Sequence, residues 1–389
     1  MAEDRTPVIV GIGLSDYPKA PELTSMQHHV QAAQRALADS GVKKTDIDGY
    51  ISAEQVMADR QILPGLVEYL GLNCRFVDGT TVGGSSFVYH VQHAAAAIQL
   101  GYADTVLVTY GQNYLSGLGR TLGTRGFGSS LVQGAQMYEG PYGLPVAGTY
   151  AMIAQRHMYE YGTTSEQLAE VAVGVREFAS LNPNAIYRDP ITVDDVLASR
   201  MIADPLHLLD CCAITDGGGA YIVTTADRAR DLRQRPVYVL GAANNQKHWM
   251  ISQCPDFTSS GAAQAGPEAF ARAGVKPDDI DMAMFYDSFT ITCIVLLEGL
   301  GFCKPGEGGP YVQEGHLRRG GKLPMNTDGG GLSSCHPGMR GIFLVIEAVR
   351  QLRGQAGEVQ VPDCKLAVAA GSGGFLSCIG VAVLGNEEP

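Results

Sequence analysis

Apolar runs and amphipathic segments recur in the same order in two parts of the chain. The apolar runs Pro7-Val-Ile-Val-Gly and Pro236-Val-Tyr-Val-Leu-Gly both have the composition of a buried β-strand. Each run is followed by a segment with a helical pattern, and the ends of these segments, 36–48 and 269–281, share six of their last eight residues. Because the order of several elements repeats together with this local identity, the chain is predicted to contain two related halves.

The second part of each repeat follows the same order with less identity. An Ala-rich pattern predicts a helix over 88–100, and the apolar run after it predicts a buried strand over 104–110. In the other half the pattern predicts a helix over 341–352 and a strand over 365–370. Strands that alternate with helices are typical of α/β folds, in which helices cover the sheet.

These elements define two βαβαβ halves that differ in length. We predict that residues 1–233 form the first half and 234–389 the second. The extra length of the first half lies over about 112–205 and is predicted to be a loop insertion.

Composition and charge exclude several classes of protein. Hydrophobic residues make up 45% of the 389 residues and charged residues 17%, which excludes disorder over most of the length. The chain has 28 basic and 40 acidic residues, and its longest Lys/Arg run is two residues. A nucleic-acid or anionic-membrane partner is therefore not expected. The apolar run 291–297 is too short to span a membrane.

The cysteines indicate a reducing compartment rather than a disulfide or metal framework. There are nine of them, an odd number, and the chain opens with Met1-Ala-Glu-Asp-Arg without an apolar leader, so a cytoplasmic location is expected. No Cys-x-x-Cys pair occurs, and His90 and His93 have no third ligand beside them in the sequence. We therefore expect no metal site.

Four short motifs contain the candidate functional residues. They are Tyr286-Asp-Ser-Phe, the Gly-rich loop 326–338 with His336-Pro-Gly, Leu209-Asp-Cys-Cys, and Gly373-Gly-Phe-Leu-Ser-Cys. Together with the two halves, these motifs resemble the thiolase superfamily over nearly the whole chain. More narrowly, they resemble its sterol-carrier or lipid-transfer branch, which includes thiolase-like aldolases of steroid side-chain breakdown. The resemblance implies a layered α-β-α-β-α fold and an acyl-CoA substrate, with coenzyme A as part of that substrate and no covalently bound cofactor.

The family's nucleophilic cysteine is missing from this chain. The resemblance places that cysteine in the loop before the helix at 88–100, and the aligned position is Gly84. Residues 82–87 contain no cysteine, and Cys74 lies a whole strand upstream. A thiolase reaction needs a thiolate that is acylated and then deacylated, so this ping-pong chemistry is not available at the loop.

The other motifs of the family are retained or altered. The resemblance matches His336 to the catalytic histidine and places Tyr286 where the family has an amide or imidazole that helps to form an oxyanion site. We predict that Tyr286 and His336 are an acid/base pair. Asp287 either accepts hydrogen bonds that hold a loop or tunes Tyr286.

Four further residues are candidates for contacts with the substrate. Ser85 and Ser86 either cap the following helix or, with Gly84, offer backbone amides to a thioester oxygen. The resemblance places Cys212 beside the pantetheine arm, where it is a candidate channel residue. It also makes Cys378 a candidate replacement for the family's last reactive cysteine.

Retained acid/base groups without a nucleophile favour carbon–carbon chemistry next to a thioester. A retro-aldol cleavage of a β-hydroxyacyl-CoA needs one acid/base pair and one oxyanion site, and the resemblance implies a steroid side chain as the acyl group. Two alternatives remain open. One is a thiolase or acyltransferase in which Cys378 or Cys335 is the nucleophile, and the other is a non-catalytic lipid or acyl-CoA carrier.

The resemblance also implies an assembly. It implies a homodimer that pairs the edge strand of the first half across a two-fold axis, with 88–100 and 104–110 near the interface. For the aldolase branch it further implies a partner with a zinc ribbon and an OB-fold, which together with this chain forms a heterotetramer.

Overall fold

The computed structural model describes residues 4–53, 62–118, 134–142 and 145–388. The strands found there are β1 Pro7–Leu14, β2 Gly49–Ile51, β3 Phe76–Asp78, β4 Thr105–Asn113, β5 Met201–Ala203, β6 Leu206–His207, β7 Asp216–Thr225, β8 Val237–Gln246, β9 Met282–Phe285, β10 Leu366–Gly373 and β11 Cys378–Gly385. The helices are α1 Ser25–Ser40, α2 Leu63–Leu70, α3 Ser86–Gln99, α4 Gln136–Glu139, α5 Val146–Tyr161, α6 Ser165–Leu181, α7 Val193–Ala198, α8 Ala226–Ala229, α9 Ala262–Ala273, α10 Thr290–Gly299, α11 Gly308–Gln313 and α12 Gly341–Leu352.

Nine of the strands form one mixed sheet in the order β3-β2-β4-β7-β1-β8-β11-β10-β9. Read outward from the β1/β8 junction, the first half runs β1-β7-β4-β2 and the second runs β8-β11-β10-β9, so the two halves repeat the same order. They meet at a short antiparallel pairing of Val8 with Tyr238 and Ile9 with Val237. This order confirms the two related halves predicted from the sequence, and the boundary between 1–233 and 234–389 stays a prediction.

The side chains on the two faces of the sheet divide the molecule into layers. Helices α3 and α12 pack between the halves, against strand residues such as Ile9 and Met284. Helices α1 and α2 cover the outer face of the first half, which includes Val8. Helices α5, α6, α9 and α10 cover the outer face of the second half, which includes Phe285. Successive strand residues point to opposite faces, so this alternation produces the predicted α-β-α-β-α arrangement.

The first helix shows how local sequence sets an element's ends. The Thr24 hydroxyl accepts the Gln27 amide at 3.2 Å, and the Gln27 side chain accepts the Thr24 amide at 2.8 Å. This reciprocal pair starts α1, and Gly41 ends it with a left-handed φ of 78°. The same device starts α6, where the Thr164 hydroxyl accepts the Gln167 amide at 3.3 Å.

Two details differ from the sequence expectations. The insertion predicted as a loop carries helices α4 to α7 in its described part, and α5 and α6 pack against the second half. Strand β4, expected near a subunit interface, lies two strands in from the sheet edge, between β2 and β7, and its nearness to an interface stays a prediction. The edge of the first half is β3, a strand of only three residues that the apolar pattern did not predict.

Candidate active site

Three chain segments converge between the two halves of the fold. Tyr286 directly follows β9, and its amide donates to the carbonyl of Ala370 on β10 at 2.9 Å. His336 follows a π-helical turn, Gly330–Ser334, and precedes α12. Gly84 lies in the loop before α3, and its carbonyl accepts the Gly341 amide at 3.1 Å. The start of α3, the end of β9 and the loop before α12 therefore form one buried site.

The two predicted acid/base residues are in direct contact. The Tyr286 hydroxyl lies 2.9 Å from Nε2 of His336, and the rings meet edge to face. The phenol oxygen also accepts the Arg340 amide at 3.1 Å. The phenol has one hydrogen to donate, and Nε2 at 2.9 Å is a nearer acceptor than the Gly338 carbonyl at 3.5 Å. We therefore assign the phenol hydrogen to Nε2 and the imidazole hydrogen to Nδ1, which has no hydrogen-bond partner among the described residues.

Burial keeps both groups neutral near pH 7. It lowers the pKa of His336 to about 4, and the Arg340 guanidinium acts in the same direction. Burial also raises the pKa of Tyr286 well above its ordinary value. A phenol in this setting is not a free phenolate, so it can accept a proton only while it passes its own proton to the imidazole.

The phenol of Tyr286 fills the space that a side chain at position 84 would need. A Cβ atom added to Gly84 would lie 2.2 Å from the ring carbon that bears the hydroxyl and 2.3 Å from the hydroxyl oxygen. Atoms cannot approach so closely, so a thiol at 84 and the phenol at 286 exclude each other on this backbone. The hydroxyl end of Tyr286 thus occupies the space into which a side chain at position 84, the predicted place of the family's nucleophile, would project.

The hydroxyls of Ser85 and Ser86 do not cap α3 as one reading of the sequence expected. Ser85 stands at the N-cap position, but its hydroxyl accepts the Gly380 amide of β11 at 2.8 Å. The Ser86 hydroxyl donates to the Gly83 carbonyl at 2.7 Å and accepts the Val82 amide at 3.0 Å. Both side chains hold the loop and the sheet together at the site, and the oxyanion role of the backbone amides stays a prediction.

Asp287 takes part in a buried ion network with Arg340 and Asp328. Its carboxylate accepts the amides of Gly331 and Leu332 at 2.8 and 3.1 Å, which fixes the π-helical turn before His336. The fully buried Arg340 lies 3.4 Å from it and binds both oxygens of Asp328 at 2.6 Å. Burial raises the pKa of Asp287, and Arg340 and the two amides act against that shift. These contacts are those of a residue that holds a loop.

The three candidate thiols lie in different surroundings. The Cys212 amide donates to the Ser288 carbonyl at 3.0 Å, two residues after Tyr286 in the sequence. Cys378 begins β11, next to the Ser377 hydroxyl at 3.8 Å, and Cys335 lies 3.2 Å from the Thr215 hydroxyl. Burial raises the pKa of all three thiols, that of Cys335 to about 12. Protonated thiols are poor nucleophiles.

Sequence reasoning missed several residues that shape the site. They are Arg340, Asp328, Tyr110, and Thr215, whose hydroxyl accepts the His336 amide at 3.0 Å. Two of them had a local signal, since Asp328 lies in the Gly-rich loop and Arg340 follows its His-Pro-Gly motif by two residues. An arginine in a Gly-rich loop is normally read as exposed, and its burial here depends on Asp328 from the same loop and on the distant Asp287.

No group of three or more His, Cys, Asp or Glu side chains within the described ranges is arranged to hold a metal ion. His93 bonds to Asp78 at 2.7 Å and His90 to Thr80 at 3.2 Å, so the two histidines have separate polar partners. Among the helices that the structure describes, none has the length and apolar character that crossing a membrane requires.

Comparison with known proteins gives matches along the whole chain. Residues 243–386 match the family "Thiolase C-terminal domain-like". A 17-hydroxy-3-oxo-4-pregnene-20-carboxyl-CoA lyase of Mycobacterium tuberculosis is 37% identical over 377 residues, which are 94% of this chain and 96% of that protein. A steroid side-chain-cleaving aldolase of Thermomonospora curvata is 36% identical over 380 residues, 94% of this chain and 95% of that protein.

Solved structures agree with the sequence matches. The structure of the Ltp2-ChsH2(DUF35) aldolase superposes on this chain with a TM-score of 0.87 at 32% identity. The superposition covers 99% of this chain and 98% of the chain in that structure. Human mitochondrial 3-ketoacyl-CoA thiolase superposes with a TM-score of 0.72 at 15% identity, with 98% of each chain covered, which shows the shared fold alone.

Proposed function

The chain belongs to the thiolase superfamily, in its sterol-carrier and lipid-transfer thiolase-like branch, and from that premise we propose that it is an aldolase. The proposed reaction is the retro-aldol cleavage of a β-hydroxyacyl-CoA whose acyl group is a steroid side chain. Coenzyme A enters as part of the substrate, and no acyl-enzyme forms. Relatives that are 36 and 37% identical carry the names of a steroid side-chain aldolase and a steroid acyl-CoA lyase, and they support this substrate class.

One observation carries the proposal. The hydroxyl of Tyr286 occupies the place where position 84 would project a nucleophile, and it contacts Nε2 of His336 at 2.9 Å. The site therefore presents a group for proton transfer at the point where a thiolase presents a thiol. Such a change removes covalent catalysis and leaves general acid/base catalysis.

The proton steps balance within this pair. The substrate's β-hydroxyl gives its proton to the Tyr286 oxygen while Tyr286 gives its own proton to Nε2 of His336. The Cα–Cβ bond then breaks, and its electron pair forms the thioester enolate as the β-carbon becomes a ketone. The proton returns from His336 through Tyr286 to Cα, so the pair ends as it began.

The start of α3 is suited to hold the enolate oxygen. The N-terminus of a helix carries a partial positive charge, and α3 is 14 residues long. We propose that the amides of Gly84 and Ser85 face the thioester oxygen. Because Gly84 lies against the phenol of Tyr286, the thioester oxygen would lie close to the Cα–Cβ bond that breaks. The negative charge that develops on this oxygen is stabilised more strongly in such a buried site than in water.

The test is a product assay with 17-hydroxy-3-oxo-4-pregnene-20-carboxyl-CoA as the probe. By atom balance, cleavage next to the thioester releases a 17-ketone and propionyl-CoA in equal amounts, which mass spectrometry of the quenched reaction measures. Intact-mass analysis after incubation with propionyl-CoA should show an unmodified chain. An acyl adduct on Cys335 or Cys378 would favour an acyltransferase, and tight binding of the probe without products would favour a carrier.

We also propose that the chain functions with a partner that contains a zinc ribbon and an OB-fold, in a heterotetramer. The name of the similar Ltp2-ChsH2(DUF35) aldolase records a second component, and that chain superposes on this one over nearly its full length. The product assay should accordingly be run with the DUF35 protein co-expressed and without it.

A homodimer is expected through β3, the edge strand of the first half. An exposed edge offers unpaired backbone groups to a second copy, and apolar side chains beside β3 are exposed, among them Val77, Leu100 and Tyr102. Light scattering at micromolar concentration should give twice the chain mass. Val77→Arg should lower the dimer fraction, whereas Tyr159→Arg, a change at an exposed tyrosine of α5, should not. A monomeric wild type would contradict this arrangement.

A further inference from the structure

Two phenols, one from each half of the fold, hold the loop that carries His336. Tyr110 on β4 donates its hydroxyl hydrogen to the Pro337 carbonyl and accepts the Met339 amide at 3.0 Å. Tyr286, from the second half, accepts the next amide along the loop, that of Arg340. One of the two phenols that hold the loop, that of Tyr110, therefore comes from a distant part of the sequence.

The same loop is fixed at its other positions. The Thr215 hydroxyl accepts the His336 amide at 3.0 Å. Gly338 has a left-handed φ of 92°, and a Cβ added to it would lie 2.1 Å from the ring of Tyr114. The ring of Tyr114 therefore closes the space above Gly338, and only glycine fits there.

We propose that Tyr110 is a positioning residue for His336, and that it holds Nε2 at hydrogen-bond distance from the Tyr286 hydroxyl. The effect of Tyr110 on turnover rests on the proposed function, whereas its effect on the position of His336 does not. Tyr110 itself is fully buried, and its hydroxyl serves both the carbonyl of Pro337 and the amide of Met339. Without the hydroxyl both groups are left buried without this partner, and the loop must shift to satisfy them.

The variant Tyr110→Phe tests this directly, because it keeps a ring that packs beside Phe87 at 4.9 Å between centroids. We expect kcat to fall by ~10- to 100-fold with KM changed by less than about threefold, since misplacement of an acid/base group affects the chemical step more than binding. The matched control is Tyr50→Phe, which removes another fully buried hydroxyl, bonded to Thr109 at 2.8 Å. Tyr50 packs on the outer face of the first half, whereas Tyr110 packs between the two halves.

A second readout does not depend on activity. In protein labelled with ¹³C at histidine Cε1, the His336 resonance can be identified by its absence from His336→Ala. Burial lowers the pKa of His336 to about 4 in the wild type, and a loosened loop in Tyr110→Phe should let that pKa rise toward the ordinary value of ~6.5. In Tyr50→Phe the His336 resonance should titrate as in the wild type.

The outcomes separate the two proposals. Suppose that the wild type cleaves no β-hydroxyacyl-CoA but that Tyr110→Phe shifts the pKa of His336. The aldolase proposal is then rejected, and the role of Tyr110 in positioning His336 is retained. An unchanged titration together with unchanged kcat would overturn the positioning role, even if the melting temperature falls as it does in Tyr50→Phe. If Tyr110→Phe fails to fold, 3-fluorotyrosine at position 110 keeps the ring and the hydroxyl but makes the phenol more acidic, which changes the strength of both of its hydrogen bonds. An unchanged His336 resonance in that protein would again overturn the positioning role.

Discussion

Tyr286→Phe should lower kcat for cleavage by ~10² to 10⁴ while the Kd for the CoA thioester changes little. The ring keeps its packing against Gly84, but the hydroxyl that contacts His336 at 2.9 Å is lost. His336→Ala should give a similar loss, because the phenol's hydrogen is then left with the Gly338 carbonyl at 3.5 Å. The double variant should be little worse than either single variant, since the two groups act as one relay.

Rapid-quench kinetics for the chemical step and calorimetry for binding measure the two effects separately. Tyr50→Phe is the matched control, because it removes a buried phenolic hydroxyl on a strand of the outer face without touching the site. Cleavage at near wild-type rate by Tyr286→Phe would refute the relay and with it the main reason to prefer an aldolase to a thiolase. Equal losses of turnover and binding would indicate structural damage instead.

Arg340→Met should lower the free energy of unfolding by ~3–5 kcal/mol. Arg340 is fully buried and binds both oxygens of Asp328 at 2.6 Å, the Cys335 carbonyl at 2.8 Å and, more weakly, Asp287. Its removal leaves two carboxylates in the interior without their cation, which is more unfavourable than the loss of the contacts themselves. Urea unfolding followed by circular dichroism measures the difference.

A surface pair supplies the control for that measurement. Arg272→Met breaks an exposed ion pair with Glu268 on α9 and a hydrogen bond to the Ala242 carbonyl, and it should change stability by no more than ~2 kcal/mol. Adding Asp328→Asn to Arg340→Met should restore part of the lost stability, because it neutralises one of the stranded carboxylates. If Arg340→Met were as mild as Arg272→Met, the buried network would not be what stabilises the His336 loop.

Much of the fold could be predicted because the local patterns and the final elements agree. The pattern over 341–352 predicts the bounds that α12 has, and the strands before and after each helix lie where the apolar runs place them. Strand β3 is too short, at three residues, for a period of two to appear, so only the resemblance indicated a strand between Cys74 and Gly84. The helices of the insertion did leave a signal that was not used, the pair Thr164 and Gln167 at the start of α6.

The site could be predicted only in part, because its decisive contacts join distant residues. The motifs suggested Tyr286 and His336, and the structure brings them together. Nothing in the sequence shows that Gly84 and the phenol of Tyr286 share one space, since 202 residues separate them. The burial of Arg340 is equally hidden, because it depends on Asp287 from a distant segment and on the way the Gly-rich loop folds back to bring Asp328 to it.

The mutual exclusion between positions 84 and 286 limits how the site can be redesigned. A protein with a cysteine at 84 and a tyrosine at 286 cannot adopt this backbone, because the two side chains would overlap. A redesign that aims to place a thiol at position 84 must therefore replace Tyr286 by a smaller residue in the same step. The two positions behave as one design variable, and changing position 84 alone would produce a steric clash.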